Sequence, residues 1–206
     1  MRRLGGSDSL GAMLSLIGAM VASAAFARIP QPADFENWTV VCDNVRHCEA
    51  MGLPSADGSD KEWTIHVSRR AEGDALPSID AAPAFQEGEA DPVRLRIDGL
   101  STDLGFDGDG RAIADSSTLL RALAGARKAE VINSKGKMVG TIPVAGAAAA
   151  LRWMDDRQER AGTTTAIIAR GDRPASAVPA PPPLPRIVQP PVSHKSPRKL
   201  NPADIK

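Results

Sequence analysis

The chain has 206 residues, with 25 basic and 25 acidic side chains, two cysteines and no tyrosine. The charge is unevenly placed: residues 28–173 carry 18 basic and 23 acidic side chains, and residues 174–206 carry five basic and one acidic. An acidic body repels phosphates, and three tryptophans give too little aromatic surface for base stacking. We therefore exclude nucleic acid as a partner of the main part of the chain.

Residues 1–27 are typical of a secretory signal peptide. Arg2 and Arg3 are followed by an uncharged run, "LGAMLSLIGAMVASAA", and then by small residues. A positive start, an apolar core and a small-x-small end are the three parts of such a signal. Cleavage is predicted before Arg28, with Ala22-Ser23-Ala24 as a second possible site. The alternative is an uncleaved anchor, but the run is shorter than the ~20 residues that a span needs.

The next segments favour strands. Residues 37–42 ("NWTVVC") are rich in residues that prefer extended backbone. Residues 62–70 and 92–98 alternate apolar and polar side chains, which predicts strands with one buried face. The stretch between them, residues 71–91, is acidic and contains prolines, so it is predicted to be an irregular surface loop.

The second half mixes strands with two helices. A hairpin is predicted over 104–114, turning at Asp109-Gly110, and a helix over 115–128, capped by Asp115 or Ser116. Residues 129–144 are predicted to form strand, turn at Lys135-Gly136, and strand. An alanine-rich helix follows over 145–160 and a final strand over 163–171.

This order predicts a mainly β (α+β) domain over residues 28–173: an antiparallel β-sandwich or barrel-like domain with two short helices packed late in the chain. Residues 174–206 hold ten of the 17 prolines. Such composition predicts an extended, disordered Pro-rich tail or linker rather than core.

The two cysteines, Cys42 and Cys48, are the first candidate for chemistry. Export would place them in an oxidising compartment, where thiols pair, so a structural disulfide is the favoured interpretation. A redox pair and a metal site remain as alternatives, although zinc needs about four ligands and His47 would supply only a third. Between the cysteines, Asp43, Arg46 and His47 are predicted to be exposed and to form a candidate binding loop.

Other polar groups are given no chemical role. Asp103, Asp107 and Asp109 could offer oxygen ligands to calcium, but Ala114 stands where an EF-hand needs its glutamate. Asp155 and Asp156 are neighbours that diverge by about 100 degrees on a helix, so both are predicted to be solvated, with Asp156 paired to Arg160. No catalytic residue, metal site or cofactor is predicted.

Two stretches carry a family resemblance. "FENWTVVCDNVRHCEAMG" (35–52) resembles the opening of a family of exported proteobacterial proteins of unknown function. "STLLRALAGARKAEVINSKGKMVGTIPVAGAAAALRWMDD" (117–156) is similar to the helix, two strands and helix of invasion-associated locus B proteins. The resemblance implies a periplasmic β-rich domain without an assigned catalytic site. Two departures are the absence of a further cysteine pair before the first helix and of the second half in which the larger family continues.

The sequence therefore favours a non-enzymatic periplasmic or secreted domain that binds a protein or an envelope component. One alternative is an envelope inhibitor of a cell-wall hydrolase. Another is an enzyme with a dispersed site, in which His66 would lie in a pocket of the folded structure. No membrane span is expected after signal cleavage, and the sequence assigns no oligomeric state.

Overall fold

The computed structural model describes residues 31–54, 62–84 and 92–184. The predicted signal peptide and the prolines beyond 184 lie outside the described residues. The strands are β1 Ala33–Phe35, β2 Trp38–Cys42, β3 Cys48–Gly52, β4 Trp63–Arg69, β5 Ser78–Pro83, β6 Val93–Ile97, β7 Leu100–Phe106, β8 Ala129–Asn133 and β9 Met138–Ile142. The helices are α1 Ser116–Gly125 and α2 Ala147–Arg157.

The strands form two antiparallel sheets. The first has the order β1-β2-β3-β4-β5 and the second the order β7-β6-β8-β9. The sheets are joined on one side by the bridge between Glu62 and Thr141, and on the other by residues 110–112, which bond to β5. The predicted mainly antiparallel, sandwich or barrel-like fold with two late helices is confirmed.

The core lies between the sheets and under α2. The alternation on β4 buries Trp63, Ile65 and Val67, as predicted. Helix α2 packs on β1, β2, β3 and α1. Trp38 is fully buried, and its indole N–H donates to the carbonyl of Pro143 at 3.1 Å, which ties the first sheet to the end of β9. These contacts fix the position of α2, whose C-terminal end carries most of the site.

Both helices begin and bury side chains as their sequences indicate. Asp115 caps α1 by accepting a hydrogen bond from the backbone N–H of Thr118 at 2.8 Å. A hydrogen bond with the Thr118 side chain, and after it this backbone hydrogen bond, lowers the pKa of the Asp115 carboxyl. Helix α1 buries its three leucines, and α2 buries Leu151 and Met154. No helix among the described residues is long and apolar enough to cross a membrane.

Two predicted elements are wrong. Residues 163–171 form turns and bends rather than a final strand. The predicted loop 71–91 contains β5, whose Ile79 and Ala81 point inward while Ser78 and Asp80 point outward. The sequence also missed the short β1 and the strand β3 that follows the second cysteine. The predicted turn at Asp109-Gly110 is present, with Gly110 at φ +78°.

Candidate functional site

The loop between the cysteines closes a hairpin. Cys42 and Cys48 are opposite each other at the last pair of β2 and β3 and form a disulfide, as predicted. Loop-closure arithmetic for a ring of this size gives a contribution of about 2–2.5 kcal/mol to stability. Among the described residues, no three side chains of metal-binding type come together. The disulfide thus links the end of β2 to the start of β3.

Asp43 is exposed, but its carboxylate is engaged within the loop. One oxygen accepts hydrogen bonds from the backbone N–H groups of Val45, at 2.9 Å, and His47, at 2.8 Å. Arg46, between those donors, has a left-handed backbone conformation with φ +64°. Asp43 therefore shapes the loop, and this shape aims the Arg46 side chain at the domain.

Arg46 is largely buried, so the prediction that its side chain is exposed is wrong. Only 13% of its side chain is exposed. Its guanidinium donates to the carboxylate of Glu159 at 2.9 Å and to the backbone carbonyls of Pro179 at 2.6 Å and Ala180 at 2.5 Å. Arg46 therefore clamps the end of α2 and the start of the Pro-rich segment against the disulfide loop.

The Pro-rich segment follows the domain for several residues beyond the predicted boundary at 173. Ala175–Ala177 forms a 3-10 turn, and Val178 is buried. The turn packs so closely on Gly73 that a Cβ there would overlap the carbonyl oxygen of Ala175. The segment thus has its own docking contacts before it reaches the Arg46 clamp.

His47 is half-buried and pairs with a serine. Its Nε2 lies 2.8 Å from Ser68 Oγ. A nucleophile and base at this distance need a third group that orients the base. Within the described part of the chain, no carboxylate bonds the other ring nitrogen of His47. His66, the other histidine considered, lies on the outer side of β4, with Nε2 at 3.9 Å from Glu49. We assign neither histidine a catalytic role.

Directly beneath the clamp lies a buried polar cluster that the sequence did not predict. Asp155 and Arg69 are fully buried and form an ion pair at 3.3 Å. Asp155 also accepts hydrogen bonds from three consecutive backbone N–H groups, those of Ile167, Ile168 and Ala169, at 2.8–3.1 Å. The prediction that Asp155 is solvated is therefore wrong, and these hydrogen bonds explain why residues 167–169, within the predicted strand, do not pair with another strand.

Arg160 continues the cluster to the neighbouring loop. It is fully buried and donates to the carbonyls of Arg70, Glu72 and Gly73 and to the hydroxyl of Thr165. The predicted Asp156–Arg160 pair does not form. Burial lowers the pKa of the Arg160 guanidinium, and burial together with the nearby Arg160 lowers that of Arg69 to about 10. Arg160 fixes the loops on either side of it.

Gln158 joins the cluster to the clamp. Its side-chain amide donates to the carbonyls of Arg46 at 2.9 Å, Arg69 at 2.9 Å and Arg70 at 3.2 Å. The disulfide loop, the end of β4 and the end of α2 are therefore held by one connected set of buried hydrogen bonds, and the clamp stands on a rigid base.

A signal for this cluster was present in the sequence. Arg69 continues the alternation of β4, and Asp155 and Gln158 continue the buried stripe of α2 that contains Leu151 and Met154. Strict periodicity therefore placed these polar side chains inside. The acidic hairpin needs no such revision: Asp103 pairs with Arg94 at 3.0 Å, and Asp107 accepts hydrogen bonds from neighbouring backbone N–H groups.

Comparison with known proteins gives three matches. A family model described as "Protein of unknown function (DUF1176)" matches residues 33–206. Uncharacterized protein YpfG of Escherichia coli (strain K12) is 31% identical over 166 residues, which are 75% of this chain and 46% of that protein. The chain thus spans about half the length of this relative. The crystal structure of invasion associated protein b from Bartonella henselae covers 63% of this chain and 99% of its own, at 16% identity and a TM-score of 0.43.

Proposed function

Since the chain belongs to the DUF1176 family of proteins of unknown function, we propose a role drawn from its site. It is an exported, non-enzymatic accessory domain of the cell envelope that holds the start of its Pro-rich segment and presents the chain beyond it to a partner. The observation that carries this proposal is the Arg46 clamp on the carbonyls of Pro179 and Ala180.

Export is supported by two independent features. The sequence of residues 1–27 has the three parts of a secretory signal. The disulfide between Cys42 and Cys48 is of the kind that persists in oxidising compartments and is rare in the cytosol. The proposed compartment is the periplasm or the exterior.

We expect the protein recovered from the periplasm of a Gram-negative host to begin at Arg28 and to carry the oxidised cysteine pair. Intact-mass spectrometry with and without thiol alkylation measures both. Leu16→Arg interrupts the apolar run and should keep the chain inside the cell with Met1 or Arg2 at its start and two alkylatable thiols. Recovery of the unaltered chain in the same cytosolic, reduced form would contradict export.

The clamp suits presentation because it binds backbone rather than side chains. The Arg46 guanidinium fixes two successive carbonyls and is itself fixed by Glu159. Residues after this point include Pro181, Pro182 and Pro183, and a Pro-rich run is extended and semi-rigid. A fixed start and a stiff spacer together set the direction in which the following residues leave the domain.

We expect Arg46→Gln to release the segment without unfolding the domain. Val178 donates its backbone N–H to the carbonyl of Ala175 at 3.1 Å, and this turn should open once Arg46 no longer holds Pro179 and Ala180. Hydrogen exchange of the Val178 amide should accelerate by about tenfold or more, the loss of one charge-assisted hydrogen bond. The amide of Ile65 in β4 should exchange as before.

The matched control is Arg94→Gln, which removes an exposed arginine whose carboxylate partner lies on the neighbouring strand. That variant should leave the exchange of Val178 unchanged. A second readout is a photoreactive residue in place of exposed Leu184. In the unaltered protein it should cross-link to one partner in the envelope fraction, and in Arg46→Gln it should cross-link to many proteins. Equal exchange rates of Val178 in all three proteins would show that Arg46 does not hold the segment.

A further inference from the structure

A second feature is a cleft of about 220 Å³ whose lining includes none of the residues of the Arg46 clamp. One wall is the loop after β4, which contributes Leu76. The second is the start of α1, with Ser117 and Arg121, and the third is the loop after α2, with Thr164 and Arg170. None of these residues takes part in the proposed presentation of the Pro-rich segment.

Several of the side chains that line this cleft are hydrogen-bond donors without a partner among the described residues. Within the described part of the chain, the side chains of Arg170, Ser117 and Thr164 make no hydrogen bond or ion pair. Arg121 is turned toward Thr118 at 2.9 Å and Asp115 at 4.0 Å. The Asp115 carboxylate also lines the cleft but is engaged in capping α1. Among the described residues that line the cleft, Arg170 is therefore the cation without an ion pair, and Ser117 and Thr164 add two unpaired hydroxyls.

The cleft is rigid because the buried cluster holds two of its walls. Arg160 bonds the carbonyls of Glu72 and Gly73 on one side and the hydroxyl of Thr165 on the other. Asp155 fixes the backbone of residues 167–169, immediately before Arg170. A site whose walls are fixed before binding avoids the entropy cost of ordering them.

We propose that this cleft binds a carboxylate at the end of a short peptide or of a peptide-like polymer. Arg170 and the hydroxyls of Ser117 and Thr164 would receive the carboxylate oxygens, and Leu76 would cover a small apolar side chain. The volume lies below the about 300–1,000 Å³ of pockets that hold drug-sized ligands, so it suits one terminal residue.

The test uses the whole exported chain and N-acetyl-alanyl-alanine, with its free carboxylate and as the C-terminal amide. Nuclear magnetic resonance titration should show the acid binding with a Kd of about 1 mM and shifting the amides of Thr164, Ala166 and Arg170. The amide should bind about tenfold or more weakly, because it cannot accept the charge-assisted hydrogen bonds of Arg170.

Arg170→Gln should weaken binding of the acid to the level of the amide. Because the exposed Arg170 side chain makes no hydrogen bond or ion pair within the described residues, this variant should fold as the unaltered protein does. Arg152→Gln, which removes an exposed arginine of α2 outside the cleft, should bind the acid normally. Equal affinity for acid and amide, unchanged affinity in Arg170→Gln, or no binding of the acid up to about 10 mM would overturn the proposal. Acetate binding as tightly as the dipeptide would overturn its peptide part.

Discussion

Asp155→Asn should lower the free energy of unfolding by about 3–5 kcal/mol, the usual cost of breaking a fully buried ion pair. Asp155 and Arg69 are both 0% exposed. The carboxylate receives four donors, from the Arg69 guanidinium and three backbone N–H groups. An asparagine at 155 leaves Arg69 without a counter-charge and turns an amide N–H₂ toward groups that are themselves donors. Urea unfolding followed by tryptophan fluorescence measures the change.

The next residue on α2 supplies the control. Asp156 has the same side chain but is exposed, so Asp156→Asn should change the free energy of unfolding by no more than about 0.5 kcal/mol. In Asp155→Asn, amide exchange should also accelerate first at residues 167–169, whose N–H groups lose their acceptor. Equal effects of the two substitutions would mean that the Asp155 carboxylate is not the anchor of this segment.

Arg69→Met separates the two roles of Asp155. This variant removes the ion pair but leaves the three backbone N–H donors on the carboxylate, and it also frees the carbonyl of Thr165, which Arg69 bonds at 3.1 Å. The methionine fills much of the same volume. Its cost should stay below that of Asp155→Asn, because three backbone N–H donors still balance the carboxylate that loses its counter-charge.

What the sequence predicted well is local in origin. The alternation along β4, the cap at Asp115 and the glycine turn at Gly136 each depend on neighbouring residues, and each is present in the fold. The disulfide was predicted from compartment rather than geometry, and the pairing of β2 with β3 now explains it. The same periodicity indicates that Arg69 and Asp155 are buried. Because charged side chains are usually exposed, their burial was not predicted from the sequence.

The features that could not be predicted from the sequence depend on contacts between distant segments. Residues 163–171 are rich in threonine and isoleucine, which favours extended backbone. The N–H groups of residues 167–169 bond the Asp155 side chain instead of a neighbouring strand. Arg46 illustrates the same limit: its environment includes Pro179 and Ala180, more than 130 positions away along the chain. The loop between the cysteines was predicted to be exposed, but it is covered by Pro179 and Ala180, which were predicted to belong to a disordered tail.

The packing of α2 on the first strand predicts the second large effect, at Gly146. This residue caps α2 with φ +88°, and a Cβ added there would overlap the backbone carbonyl of Phe35 in β1. Gly146→Ala should therefore lower the free energy of unfolding by about 3–4 kcal/mol. Roughly 1 kcal/mol arises from the left-handed backbone and the remainder from the clash.

Two further glycines separate these terms. Gly136 has φ +75° but open space around it, so Gly136→Ala should cost only the backbone part, about 1 kcal/mol. Gly125 ends α1 with an ordinary φ and open space, so Gly125→Ala should be neutral or stabilise the fold by up to about 1 kcal/mol. Urea unfolding measures the free energy of unfolding of each variant. The difference between Gly146→Ala and Gly136→Ala isolates the contact between α2 and β1. If Gly146→Ala cost no more than Gly136→Ala, α2 would not press on Phe35, and the rigid base assigned to the Arg46 clamp would lose its support.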